Sequence, residues 1–196
     1  MSIEESGYEF RKYYPAPNPQ KANNAFDFFI SEDESIIYKR NNNSNKKFSE
    51  IIKKQENFKD FENVLNGTFF SPSISNHICK GYDLESDGSH KMKFLHGYRL
   101  DLIASYELDP PSTNSIINQI EILLICLAKA NEDGDLFGDW ATHNLVFSFE
   151  YGLVFNIDLE GFMTYRPLPE WADYNTVEGW LKNIIRRLQS SSSTIE

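Results

Sequence analysis

The stretch from Phe137 to Phe162, FGDWATHNLVFSFEYGLVFNIDLEGF, constrains this chain more than any other. It contains two short apolar runs, Leu145 to Phe149 and Gly152 to Ile157, joined by a tight Glu150-Tyr151-Gly152 connection. That pattern predicts a β-hairpin. A hairpin folds back on itself, so the residues that enter its first strand and those that leave its second lie side by side. Here both sets are polar: Asp139 and Asn144 precede the hairpin, and Asp158 and Glu160 follow it. The fold therefore gathers several oxygen donors at one end of the ribbon.

Such a cluster suits a hard divalent cation. Mg²⁺ is held by one or two carboxylates, with the other positions left to water and substrate phosphates. A further carboxylate that does not ligate the metal can accept the proton of an attacking hydroxyl, a division of labour that phosphoryl transfer needs.

The same residues carry a resemblance. Asp139-Trp-Ala-Thr-His-Asn144 has the Asp-x-x-x-x-Asn spacing of the catalytic loop of protein-kinase-like phosphotransferases, and Asp158-Leu-Glu-Gly161 resembles their Asp-Phe-Gly metal motif. Ile157-Asp-Leu-Glu160 is most similar to the Ile-Asp-Phe/Trp-Glu of aminoglycoside phosphotransferases, choline kinases and related small-molecule or lipopolysaccharide-core kinases. The resemblance implies that Asp139 is the catalytic base, that Asn144 and Asp158 are Mg²⁺ ligands, and that Glu160 is an accessory acid at the metal. It departs from the family two residues before Asp139, where Phe137 replaces the usual His or Tyr and Gly138 follows.

The resemblance extends upstream. Ala25 to Ile30 and Ser35 to Arg40 read as a hairpin around the polar turn Ser31 to Glu34, and Phe48, Ile51, Ile52, Phe58, Phe61 and Leu65 mark an amphipathic helix stopped by Gly67. Strand-like runs follow at 68–70, 77–84 and 91–95, with Glu85-Ser-Asp-Gly88 as a turn between the last two. Ile36-Ile-Tyr-Lys39 is similar to the lysine strand of a kinase-like small lobe, and the segment from Met92 through Phe94 to Gly97 to the strand that becomes the hinge under adenine. The resemblance thus implies ATP contacts by Lys39, Met92 and Phe94, and a helix carboxylate that orients Lys39. Glu56 is the choice for that partner, with Glu62 and Glu50 as alternatives. The glycine-rich turn that covers the phosphates in this family has no counterpart, because no glycine occurs between Gly7 and Gly67.

Beyond the hinge segment, a short helical stretch starting near Tyr98 leads to Pro110-Pro111. Ser112 to Ser115 is expected to cap a helix over 116–130 whose isoleucines and leucines occupy most sides, which predicts a buried helix. A final helix over 176–188 carries Val177, Trp180, Leu181, Ile184, Ile185 and Leu188 on one face, with Arg186 and Arg187 near the negative end of its dipole. The expected architecture is α+β and bilobal, protein-kinase-like, with a small antiparallel-sheet N-lobe holding one helix and a reduced, mainly helical C-lobe. The expected divisions are an irregular arm over 1–24, the N-lobe over 25–97, the C-lobe over 98–188 and a disordered tail over 189–196.

Composition narrows the alternatives. The 196 residues are 40% hydrophobic and 14% aromatic, enough for a sizeable core. No apolar run approaches the ~18 residues of a membrane span, and the N-terminus lacks the features of a secretory signal. Cys79 and Cys126 have no metal or redox spacing, which predicts reduced core thiols in a cytoplasmic protein. The net charge of −10 argues against an electrostatic grip on nucleic acid or on an anionic membrane surface. It favours cationic substrates or basic partners and equally serves solubility. The four histidines have no zinc-ligand spacing, and no serine or cysteine stands at a nucleophile elbow.

The expected function is an ATP- and Mg²⁺-dependent phosphotransferase acting on a hydroxyl acceptor, whether small molecule, glycan or protein. A catalytically degenerate kinase-like binding module is the alternative, favoured by Phe137 and the missing glycine loop. A structural α+β protein without a nucleotide site is the third reading. His143 and Trp140 in the loop are further candidates near a substrate, whereas His96 and Arg99 after the hinge segment read as exposed polar residues.

Overall fold

The computed structural model describes residues 2–5, 8–13, 26–42, 72–85, 87–163, 168 and 173–192. They form a mixed α+β chain with antiparallel sheets. The chain divides into two compact units, one of Met1–Asn66 with Lys80–Phe94 and one of Gly67–Cys79 with Leu95–Glu196.

The first unit is built on a six-stranded sheet. Its strands are β1 (Ser2–Glu5), β2 (Tyr8–Tyr13), β3 (Phe26–Ser31), β4 (Ile36–Asn41), β5 (Gly81–Leu84) and β6 (His90–Lys93), in the order β1-β2-β3-β4-β6-β5. Every neighbouring pair is antiparallel. Side chains alternate between faces along a strand. Phe29 and Tyr38 therefore pair on one face, where they pack with Phe10 and Ile36 into a core cluster. On that face Asp27 takes ion pairs from both Lys12 and Arg40, which hold its carboxyl below the ordinary range. The opposite face carries Ile37, Lys39, His90 and Met92.

Where the sequence suggests an irregular N-terminal arm, residues 2–5 and 8–13 are strands. The reason is register: Phe10 pairs with Ser31 and is fully buried, so the alternating run Tyr8 to Tyr13 completes the core that β3 and β4 leave open. The hairpin between β5 and β6 turns through Gly88 at φ +91°, and the Asp87 carboxylate accepts the Ser89 amide at 2.8 Å. The expected helix between 46 and 65 and the strand at 68–70 lie outside the described residues.

The second unit combines a three-stranded sheet, β7 (Gly97–Arg99), β8 (Leu145–Ser148) and β9 (Val154–Asn156), with four α-helices among the described residues. These are α1 (Pro72–Ser75), α2 (Pro110–Asp133), α3 (Leu159–Met163) and α4 (Tyr174–Ser192). The hairpin of β8 and β9 forms where its apolar runs predict it, with Leu145 opposite Asn156 and Phe147 opposite Val154. The segment at 77–79 joins this unit because it runs beside β9: Ile78 bridges Asn156 in parallel, and the Asn156 amide donates to the His77 carbonyl at 2.7 Å.

Helix α2 starts earlier than its serine-rich stretch suggests. Asp109 is the N-cap and accepts the Ser112 amide at 2.7 Å, while Pro110 and Pro111 occupy first-turn positions that need no amide hydrogen. Gly134, at φ +76°, closes the helix in the left-handed conformation. The helix is not buried all round. Ile116, Ile117, Ile120, Leu123, Leu127 and Ala130 form one buried stripe, while Ile122 and Ile125 are exposed, because α1, α4 and β9 cover only one side.

Helix α4 buries Val177, Leu181, Ile184, Ile185 and Leu188 and is started by Asp173, which accepts from the Thr176 amide and hydroxyl. It continues to Ser192, with Ser190 and Ser191 donating back to the carbonyls of Arg186 and Arg187. The two arginines therefore sit ahead of the last turn rather than at the dipole end, and residues 189–192 are helix rather than tail. No helix among the described residues is long and apolar enough to cross a membrane.

The α2 stripe makes a direct prediction. Leu123→Ala, at a fully buried position, should cost about 2–5 kcal/mol in urea unfolding, whereas Ile125→Ala, at a position 70% exposed, should stay within about 0.5 kcal/mol of the parent. Equal losses would mean that the exposed side of α2 is covered.

Candidate functional site

The polar end of the β8–β9 hairpin is assembled by backbone hydrogen bonds. Thr142–Asn144 forms a 3₁₀ turn that leads into β8, with the Asn144 amide donating to Ala141 O at 2.9 Å. The Ile157 amide then donates to Asn144 O at 2.9 Å, which ties the start of β8 to the end of β9. Asp139 lies just upstream. One of its carboxylate oxygens accepts the Ala141 amide at 2.9 Å, an Asx-type turn that fixes the direction of the loop.

Two carboxamides converge on the Asp139 carbonyl. Asn144 Nδ2 donates to it at 3.3 Å and Asn156 Nδ2 at 2.8 Å. Asn156 also accepts the Asp158 amide on Oδ1 at 2.8 Å. A single side chain thus spans the two loops that flank the hairpin. With its NH₂ turned toward Asp139 O, Asn144 presents its carboxamide oxygen to other partners. Asp158 is half-buried, and Glu160 is half-buried in the first turn of α3. Asp139, Asn144 and Asp158 are in this way brought into one hydrogen-bonded cluster of loops.

Two glycines let the loops approach this closely. Gly138 adopts φ +85°, and a Cβ there would stand 2.7 Å from the Phe162 ring. A Cβ on Gly161 would lie 2.9 Å from Gly138 Cα and 3.1 Å from the Asp139 nitrogen, inside van der Waals contact. Trp140 completes the contact. It is fully buried, meets the Phe162 ring edge-on at a centroid distance of 5.6 Å and donates from Nε1 to Phe137 O at 2.8 Å. It anchors the loop and does not wall a substrate pocket.

His77 braces the other edge of β9. Its buried ring bonds from Nδ1 to the Val154 carbonyl at 2.8 Å, and because a carbonyl only accepts, that nitrogen carries the hydrogen. Burial pushes its pKa below the ordinary 6.5, against the opposing pull of the Val154 carbonyl.

The remaining sequence candidates fall elsewhere. His143 is exposed on the 3₁₀ turn, and His96 is exposed with its carbonyl accepting from the Phe149 amide. Arg99 pairs with Asp101, two residues away, at 2.8 Å. In the first unit, Lys39 is 7% exposed and its ammonium stands 5.3 Å from the Phe26 ring centroid and 5.7 Å from that of Phe28. Met92 shares its sheet face, and the Phe94 amide is held by the Ser35 carbonyl at 2.9 Å. Glu56, with the alternatives Glu50 and Glu62, lies outside the described residues. Both cysteines are free; Cys79 is buried and Cys126 half-buried, with burial raising the Cys126 thiol pKa. Among the described residues, no three His, Cys, Asp or Glu side chains come together as a metal-holding group.

The residue that sequence reasoning missed is Asn156. Its only signal is a carboxamide in the inward register of an apolar strand, two positions after the fully buried Val154.

Gly138→Ala and Gly161→Ala should each lower the urea midpoint more than Gly152→Ala. Gly152 has a positive φ, as Gly138 does, but has open space around it, so only the backbone cost of about 1–2 kcal/mol applies there. A Gly161→Ala protein as stable as the parent would mean that the loops are not in contact. Since His77 is neutral when buried, its contribution to stability is complete above pH 6.5 and is lost as pH falls through its lowered folded value. His77→Asn should therefore flatten the loss of stability between neutral pH and pH 5, measured as urea midpoints against the parent. No family model matches the chain, and no curated protein matches it.

Proposed function

We propose that the chain is an ATP- and Mg²⁺-dependent phosphotransferase of reduced, bilobal protein-kinase-like fold, moving a γ-phosphoryl group to a hydroxyl acceptor. The observation that carries this reading is the hydrogen-bonded linkage of Asp139, Asn144 and Asp158 through the Asp139 carbonyl and the Asn156 carboxamide. These are the positions at which the sequence resembles the catalytic loop and metal motif of that family.

The donor chemistry fits a hard cation. Asn144 offers a carboxamide oxygen and Asp158 a carboxylate, with Glu160 as a third oxygen donor on the adjoining turn. When bound, Mg²⁺ neutralises charge on the transferring phosphates. Asp139 orients the acceptor hydroxyl and takes its proton as the new P–O bond forms and ADP leaves. Its loop is held by the Ala141 amide and the two carboxamides, which supplies the fixed geometry that phosphoryl transfer requires. The phosphate role of Lys39 and the adenine role of Met92 and Phe94 rest on the sequence. An ATP-dependent activity fits a cytoplasmic setting.

A second reading, a degenerate kinase-like binding module, is favoured by one feature of the loop. An Asp139 oxygen serves the turn at Ala141, so the aspartate has a structural task whether or not it meets a substrate.

Thermal unfolding with ATP, with and without Mg²⁺, separates the two. At a ligand concentration about 100 times Kd, the folded state gains about 2.7 kcal/mol. The parent should show a Mg²⁺-dependent rise in Tm that Asp158→Ala abolishes. Asp139→Asn should keep that rise and lose turnover by about 10²–10⁴-fold. Turnover at the parent rate in Asp139→Asn would remove the base from Asp139, and no rise in Tm at millimolar ATP would favour a module that binds another partner.

A further inference from the structure

We infer that Asn156 is a positioning residue for the reaction, holding the catalytic-loop and metal-loop backbones at a fixed separation; this rests on the phosphotransferase reading above. Nothing in the Asp-x₄-Asn or Asp-x-Glu-Gly patterns assigns it a role. Its side chain is fully buried, donates from Nδ2 to the Asp139 carbonyl at 2.8 Å and accepts the Asp158 amide on Oδ1 at 2.8 Å. A carbonyl only accepts and an amide only donates, so the two partners fix which way the carboxamide faces. A carboxamide supplies both functions in one plane without carrying charge.

The backbone of Asn156 is held as firmly as its side chain. Its amide donates to His77 O at 2.7 Å and its carbonyl accepts the Cys79 amide at 2.9 Å. With Leu145 opposite it on β8, the residue sits between two neighbouring chain segments. The carboxamide therefore projects from a rigid strand and carries its two contacts to loops on either side of the hairpin. Asp139 and Asp158 are 19 residues apart in the chain and are coupled through this one group. Because a displacement of about 1 Å at a reacting centre can cost on the order of 10²-fold in rate, a link at this place acts on turnover.

The linkage has a chemical signature. In Asn156→Asp the carboxylate still accepts from the Asp158 amide but repels the Asp139 carbonyl.

The test is Mg²⁺-dependent ATP hydrolysis with water as the acceptor, for the parent and Asn156→Asp, at pH 8. At pH 8 the variant should lose about 10²-fold in kcat with its KM for ATP within about 3-fold of the parent. The Asp158 amide of the variant should stay protected from hydrogen exchange, because its acceptor is kept, so the lost turnover comes from the Asp139 side of the link and not from general loosening of the loops. A folded variant with parental kcat, or one whose KM for ATP worsens as much as its kcat, overturns the role of Asn156 and leaves the phosphotransferase reading standing. A parent that hydrolyses no ATP overturns both. If Asn156→Asp does not fold, hydrogen exchange of the parent decides: the Asp158 amide should be protected to the same degree as the Asn156 amide in β9. Exchange of the Asp158 amide at the rate of an unstructured peptide would mean that the carboxamide does not hold it, and the inference falls.

Discussion

The second unit depends on one buried carboxamide bridging two loops. An unpaired amide in an apolar interior costs about 1–3 kcal/mol, so the Asn156 side chain is tolerable in β9 only because both of its ends are satisfied. The same requirement makes it specific. Sliding β9 by one residue would turn Asn156 outward, strip the Asp139 carbonyl and the Asp158 amide of a partner, and expose Val154. The register of the hairpin and the arrangement of the polar loops are therefore one constraint.

Close backbone approach is the second condition. Gly138 and Gly161 meet with no side chain between them, and Phe162 and Trp140 fill the space around that contact. With Trp140 Nε1 bonded to the Phe137 carbonyl, the backbone and a buried indole hold the loop just ahead of Ala141. Polar satisfaction and steric fit act on the same few residues, so the loops are held from both sides.

The two units are stabilised by different means. In the first, the core is aromatic and its charged groups are drawn in over the rings: Arg40 lies 4.9 Å from the Phe29 centroid and Lys91 lies 5.4 Å from that of Tyr38. These long side chains cover apolar surface with their stems, which lets a sheet rich in lysine and arginine still bury its faces. In the second, aliphatic stripes on α2 and α4 make the core. The caps at Asp109 and Asp173 and the left-handed Gly134 set where those helices begin and where α2 ends.

Periodicity and turn chemistry made much of this legible. The hairpins of β3 with β4, β5 with β6 and β8 with β9 follow from alternation and from Glu34, Gly88 and Gly152 in their turns, all at positive φ. The buried face of α4 follows from its three-and-four spacing. Three of the misses share a cause, since each depended on neighbours distant in sequence. The N-terminal strands are strands because β3 offers an edge for Phe10, and Ile125 is exposed because α1, α4 and β9 pack on the opposite side of α2. Asn156 looked like one polar letter in an apolar run, because the carbonyl and amide that give it meaning come from residues 139 and 158. By itself the sequence determined the β3–β4, β5–β6 and β8–β9 hairpins, the bodies of α2 and α4, and that acidic residues flank one hairpin, since these are matters of local period and spacing. Only the tertiary structure decided what holds those flanks together, because hydrogen bonds and close contacts between remote residues leave no period in the chain.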